Sequence, residues 1–483
     1  MAKKNHEVKN PWYKALGNYF ADFGRAFSKG DIWVKLSALV MGLGYFARGQ
    51  VVNGILMTAL EVIFALVLGL YGLPNLAKFG TLGTVQFEQV FDPLTMQSTV
   101  NDYDNSFLIL LGSVISMIIL FAFLLTYIGN MKRVYRLYEL KLEGRHINTF
   151  KEDMKEMLNG KFHLTLLALP VLGVVLMNII PIFVLIFIAF TNYDQNHMPP
   201  AALFTWVGWK NFQTMFTSST TSTFGYAFGK ILGWTLIWAA LATLTTFIGG
   251  ILLAKLINNK KTKLPKMWRT LFIVSIAVPQ FVTLLLVRNF FADAGIVNTI
   301  CSNTGITDFL QLCGLVSSRL DYIPFLTDPK WAKVMIILIN IWVGVPYQML
   351  IATGVLMNIP EDQIESAKID GANAWEIFWK ITMPYVLFIQ GPALITDFVK
   401  NINNFNVIYL LTQDVYVTPD QLMANSNAKE IDLLVTWLFR LTNEYYNYKM
   451  ASVIGIIVFI ICAAFTLVTY SRMIKGDREE DFQ

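Results

Sequence analysis

IPEDQIESAKIDGANAWEIFWKITMP, residues 359–384, is a polar island between two long apolar runs. It carries five acidic side chains, two lysines and one glycine near its centre, Gly371. Pro360 can open a helix, because its missing N–H falls among first-turn donors that have no partner within the helix. Glu361 and Asp362 then place negative charge at the positive end of the helix dipole, and Ile364 and Ala367 share one face. Asp370-Gly371 reads as a turn, since glycine tolerates positive φ. A second short helix is predicted through Ala372, Ala374, Trp375, Ile377, Phe378 and Trp379, with Pro384 starting the apolar run beyond. The pattern alone leaves two readings open: a linker hairpin packed under its own bundle, or a docking piece for a cytoplasmic protein.

The chain around the island is solvated by lipid. Of 483 residues 55% are hydrophobic and only 15% charged, against about a quarter charged in an average soluble domain. About 20 helical residues cross a hydrocarbon core, and runs of that size occupy 51–72, 106–129, 163–190, 231–254, 268–290, 333–357, 384–403 and 450–471. The expected fold is therefore an all-α polytopic membrane protein of about eight transmembrane helices. A shorter apolar piece, 36–47, reads as interfacial or re-entrant, with a spanning helix as the alternative. Residues 1–30 mix both charges and hold no apolar core of a secretory signal.

Lysine and arginine report the orientation, because cytoplasmic loops hold the excess. The N-terminal 50 residues, the 130–162 loop, the 255–269 stretch, the island and the C-terminal tail carry 27 of them, and the four alternate loops carry 7. Both termini and the island are expected in the cytoplasm. The net charge of +5 then reflects topology, and nucleic acid is not expected as a partner. The four histidines are scattered without metal-type spacing, so no metal site and no catalytic centre is expected. No G-x-x-x-x-G-K-[ST] phosphate loop occurs, since GYAFGKI (225–231) sets its glycines too close.

The island resembles the EAA loop of binding-protein-dependent ABC importer permeases, whose pattern is E-A-A, three residues, G, nine residues, I-x-L-P. Glu365-Ser366-Ala367, Gly371 and Ile381-Thr382-Met383-Pro384 reproduce both gaps, with Ser366 and Met383 as mild departures. The resemblance implies coupling to an ATPase subunit through Glu365, Ser366, Ala367, Asp370, Gly371, Ile381 and Pro384. It narrows to the maltose/maltodextrin-type carbohydrate importers through VGWKNF (207–212), NIWVGVPYQMLIATGVLMNIP (340–360), NNFNVIYLLT (403–412) and DLLVTWLFRL (432–441). It covers roughly residues 160–475, giving a six-helix type I importer core at 161–475. That core follows an N-terminal segment (1–50) and a two-span hairpin with its linker (51–160), and precedes a cytoplasmic tail (476–483). Segment 191–230 is short where the maltose-type subunit of Gram-negative bacteria has a large insert, which leaves the grip on the binding protein undetermined.

Polar side chains at lipid depth usually face a bundle interior or a wet cavity. Asn340, Gly344 and Gln348 recur every four residues on one helix, beside Trp342 and Tyr347. Gln280 adjoins Pro279, and Lys400, Asn401, Asn403 and Asn404 close the 384–403 run. Amides that donate and accept suit sugar hydroxyls, and an aromatic face suits the C–H face of a pyranose; equally, such groups glue helices together. The resemblance implies the first role for Gln280, Asn340, Trp342, Gly344, Asn401 and Asn404, and Tyr347 joins them on its helix. Lys400 could bond a sugar, pair with Asp397, or reach the interface. Cys301 and Cys313 share one outward loop and could form a disulfide in an oxidising compartment.

The resemblance implies one permease subunit of an ATP-driven oligosaccharide importer in a bacterial cytoplasmic membrane, with maltodextrin as the first substrate. Its expected partners are a second permease subunit, two ATP-binding subunits holding ATP and magnesium, and an extracellular sugar-binding protein. An ion-coupled secondary sugar transporter is the alternative, with Glu61 and Asp397 as its available intramembrane carboxylates; a non-transporting scaffold would leave the polar core positions without a role.

Overall fold

The computed structural model describes residues 23–92, 97–217, 223–259, 261–413 and 419–474. The expected tail, 476–483, and the first 22 residues of the N-terminal segment lie outside them. The chain divides into two compact units, Met1–Trp206 and Val207–Gln483.

In the first unit, two short helices, α1 (Ile32–Leu36) and α2 (Leu43–Phe46), occupy the 36–47 region. Neither approaches the length needed to cross a bilayer. Helix α3 (Val51–Lys78), a hairpin of β1 (Gln89–Asp92) and β2 (Gln97–Val100), α4 (Ser106–Leu142), α5 (Phe150–Leu158) and α6 (Phe162–Ile188) follow. The antiparallel hairpin, pairing Gln89 with Val100, is an addition to the all-helical expectation. Buried Tyr45, Met131, Val134 and Leu137 pack the short helices against α4. Glu61, noted as a membrane carboxylate, accepts a hydrogen bond from the Met41 amide at 2.8 Å, which caps the chain between α1 and α2. Phe79 meets Phe187 and Trp206 edge-on at 5.4 and 5.2 Å. These rings fasten the end of α6 to α3, so the unit boundary falls after Trp206 rather than before α6.

The second unit runs α7 (Lys210–Phe216), α8 (Phe224–Ile257), α9 (Pro265–Ala277), α10 (Gln280–Phe290), α11 (Ile296–Asn303), α12 (Ile306–Leu312), α13 (Pro329–Leu356), α14 (Glu361–Ile369), α15 (Ala374–Ile377), α16 (Met383–Ile402), α17 (Phe405–Leu411), α18 (Gln421–Ala424), α19 (Leu434–Asn443) and α20 (Tyr448–Ile474). Among the described residues, α3, α4, α6, α8, α13 and α20 are long and apolar enough to cross a membrane. The 268–290 run is not one straight helix: α9 and α10 meet at 93°. Pro279, with extended backbone at Val278 and at the proline itself, makes that break. With that bent pair counted as one span, the described residues hold seven candidates, and α16 is a further helix of 20 residues.

Prolines elsewhere are absorbed without a break. Pro170, Pro346 and Pro392 sit inside helices. Pro74, Pro181 and Pro384 each come two residues after a π-turn, at Leu68–Gly72, Val175–Ile179 and Phe378–Thr382. A proline ring clashes with the carbonyl four residues back. In each case the preceding residue donates five residues back instead, Met383 to Phe378 for example, and the wider turn makes room.

Helices α8 and α13 form the closest pair. A Cβ on Gly250 would lie 2.4 Å from that of Gln348, and one on Gly344 would lie 2.7 Å from Thr246 Cγ2. Small residues let these backbones approach, as is common between membrane helices. Two apolar clusters stack along the pair: Trp238, Ala242, Ile336 and Ile339 belong to one, Phe247, Ile251, Met349 and Ala352 to the other.

Candidate functional site

Between those clusters, at mid-length of α13, lies a cavity of about 520 Å³. Gln280 opens α10 at the Pro279 break. Asn340, Trp342, Gly344 and Tyr347 come from α13, and Asn401 and Asn404 from the end of α16. All seven sequence-predicted positions line this one space. Gly344 has a second task, since its missing side chain also admits Thr246 of α8.

The lining is partly braced and partly open. Asn401 Nδ2 donates to Thr243 Oγ1 at 3.0 Å, its carbonyl accepts from Trp238 Nε1 at 3.1 Å, and Asn404 Nδ2 donates to Asn401 Oδ1 at 3.3 Å. Asn404 also caps α17 by accepting from the Val407 amide. Gln348 Nε2 donates to Asp397 Oδ2 at 2.7 Å. That bond, rather than Lys400, engages the Asp397 carboxylate. Among the described residues the side chains of Gln280, Asn340, Trp342, Tyr347 and Lys400 make no hydrogen bond. These groups, three of them neutral donor–acceptors and two donors, face the space with their capacity unspent. Sequence reasoning missed Thr243, Thr246, Ser275 and Thr283. Threonine recurs throughout the apolar helices and commonly bonds its own backbone, as Thr246 does to Ala242, so residue type alone marks nothing.

The island lies beyond the C-terminal end of α13. Helix α14 has no buried residue, and Ile364 and Ala367 are half-covered. It ends in a Schellman motif: Ala372 N–H donates to Ala367 O at 2.9 Å and Gly371 N–H to Lys368 O at 3.1 Å. Gly371 takes φ +83°, as the motif demands. Asn373 and Glu376 then form a capping box on α15, and the Asn373 amide holds the Glu376 carboxyl below the usual range. The second island helix does not stop before Pro384. It continues through the π-turn into α16, because that turn accommodates the proline. Pro360 sits at the N-cap of α14 rather than inside it. Phe378 is buried beneath Lys255, whose Nζ lies 4.5 Å from the ring centroid. By contrast Ile369 is 86% and Trp375 70% exposed. The island is held at Ile359, Phe378, Thr382 and Met383, which are buried, while the face carrying Ile369 and Trp375 stays exposed.

Cys301 and Cys313 are not bonded; both are free. Cys301 lies on α11 against the apolar cluster around Trp238, whereas Cys313 caps α12 and is exposed. The two thiols thus stand on different helices in different surroundings.

A bundle of spans around a polar cavity, with an exposed helical loop between two cavity-forming helices, defines a multi-span membrane permease. Residues 246–474 match the model of the binding-protein-dependent transport system inner membrane component family. The chain is 32% identical over 452 residues to the maltodextrin transport system permease protein MdxF of Bacillus subtilis (strain 168), covering 92% of this chain and 96% of that protein. It is 30% identical over 446 residues to the galactooligosaccharides transport system permease protein GanP of the same organism, covering 92% and 98%. A bacterial ABC transporter involved in the import of the acidic polysaccharide alginate shares the fold, with 22% identity, a TM-score of 0.50, and coverage of 67% of this chain and 99% of that one. The chain belongs to the binding-protein-dependent transport system inner membrane component family.

Proposed function

We propose that the chain is one transmembrane permease subunit of an ATP-driven oligosaccharide importer, with maltodextrin as its first substrate. The observation that carries this reading is the cavity's set of uncommitted hydrogen-bonding groups, held between two apolar clusters at mid-span. Hydroxyls of a neutral sugar match amides and Tyr347, while the exposed indole of Trp342 offers a face for a pyranose. Open binding groups let a sugar bind and leave without breaking bonds within the protein. Relatives named for maltodextrin and for galactooligosaccharides, at similar identity, support an oligosaccharide and make galactooligosaccharide the second candidate.

The chain's role is to bind, orient and release sugar; ATP and magnesium belong to two partner ATPase subunits that dock on the exposed island. A second permease subunit completes the pathway, and an extracellular binding protein delivers the sugar. The island and both termini lie on the cytoplasmic side, in keeping with the excess of lysine and arginine in those segments.

Purified complex in proteoliposomes tests the reading. Labelled malto-oligosaccharide is expected to accumulate only with ATP on the island's side and binding protein on the other. Uptake that ignores ATP and collapses with the proton gradient would overturn it in favour of ion coupling. Recovery of the chain alone from native membranes, under conditions that preserve other complexes, would do the same.

A further inference from the structure

The first unit holds a second and larger cavity, of about 860 Å³, unrelated to the sugar site. Six lysines and arginines and three acids line it, a surplus of three positive charges with His146 neutral. The cations converge from three separate segments: Arg25 and Lys29 before α1, Lys132, Arg133 and Arg136 on α4, and Lys161 at the mouth of α6. A positive-inside bias requires only that basic residues lie on one side of the membrane, not that they meet.

Some of this charge is already engaged. Arg133 pairs with Asp153 at 2.6 Å and Lys161 with Glu156 at 2.7 Å. Asn53 also donates to Asp153 at 2.9 Å, and Gln50 to the Asn148 carbonyl at 2.6 Å, so the floor is tied to the start of α3. Among the described residues Lys29 and Arg136 make no hydrogen bond or ion pair, and both are exposed. Two uncommitted cations on a braced floor are an arrangement for a multivalent oxyanion; arginine in particular offers a fork that matches phosphate.

Depth suggests where the anion comes from. Lys132 directly follows the apolar stretch of α4, and Lys161 directly precedes that of α6. The cavity therefore opens where both spans leave the hydrocarbon. Leu120, Phe121, Leu124 and Leu125 stay exposed on α4, with Leu125 roughly 10 Å below Lys132 at 1.5 Å per residue. That is an apolar wall beneath a cationic cup. We propose that this cavity binds the phosphate of an anionic ligand, with phosphatidylglycerol of the cytoplasmic leaflet as the lipid source and a soluble phosphate ester as the other.

Native mass spectrometry of the full-length chain in mild detergent tests this without any transport assay. Phosphatidylglycerol is expected to be retained and phosphatidylcholine lost. Retention should fall at least about fivefold in the double variant Lys29→Gln, Arg136→Gln. The control Lys151→Gln, Lys155→Gln removes the same charge from α5 outside the cavity and should retain lipid as the unaltered chain does. Displacement of the lipid by excess sn-glycerol 3-phosphate, again only with Lys29 and Arg136 present, would support the phosphate site and assign a soluble source. Equal retention by the cavity variant and the unaltered chain, or no phosphate ligand retained by either, would overturn the proposal.

Discussion

The polar cavity and the island lie on the same two helices and are built in opposite ways. Along α13, Asn340 to Leu356 spans about 24 Å at 1.5 Å per residue, and α16 returns from the island to Asn401. In the cavity, Asn401, Asn404, Gln348 and Asp397 are cross-braced to other helices. In the island Ile359, Phe378, Thr382 and Met383 are buried, and the exposed remainder is ordered from within the segment by a Schellman turn and a capping box. Trp375 and Ile369 stay largely exposed on the island, and the cavity leaves its amides open. Helices α13 and α16 join the two regions.

Substitutions at either end should separate the roles. The largest effect is expected from Gly371→Val. No atom lies near its absent Cβ, so the cost is purely the left-handed φ, about 1–3 kcal/mol for a side chain forced there. Transport and sugar-stimulated ATP hydrolysis should fall roughly 10- to 100-fold, while sugar binding to the permease, read by tryptophan fluorescence or calorimetry, stays within about twofold. Equal loss of binding and coupling would break the distinction drawn above. Trp342→Ala should do the reverse. Loss of an aromatic face raises the KM for malto-oligosaccharide roughly threefold to tenfold, with co-purification of the ATPase subunits unchanged. The smallest effect is expected from Lys400→Met, about three- to fivefold in uptake if its ammonium donates to a sugar hydroxyl. Unchanged uptake would remove Lys400 from the pathway.

The sequence exposed those parts that depend on local pattern. Apolar runs near 20 residues marked the spans, and the spacing from Glu365 to Pro384 marked the island. The cavity was legible because amides are scarce at lipid depth and therefore conspicuous. What stayed hidden depends on tertiary surroundings. Pro279 breaks its helix while Pro170 and Pro346 do not, and nothing in the residue type distinguishes them. Gly344 reads equally as lining and as a packing gap, and proves to be both. Cys301 and Cys313 are 12 positions apart, a spacing that allows a bond, but an apolar cluster claims one and solvent the other. The basic residues of α4 were counted as a sign of topology; only folding shows that they meet those of the N-terminal segment.

The π-turn at Phe378–Thr382 has a consequence for chain length. A helix turns about 100° per residue, and this turn holds one residue more than an α-turn would. Deleting a single residue between Phe378 and Pro384 would close the π-turn into an ordinary α-turn and bring the proline ring against the carbonyl four residues before it, leaving every other side chain in the segment present. The wide turn thus lets one continuous helix run from the island into the cavity wall with a proline in its path.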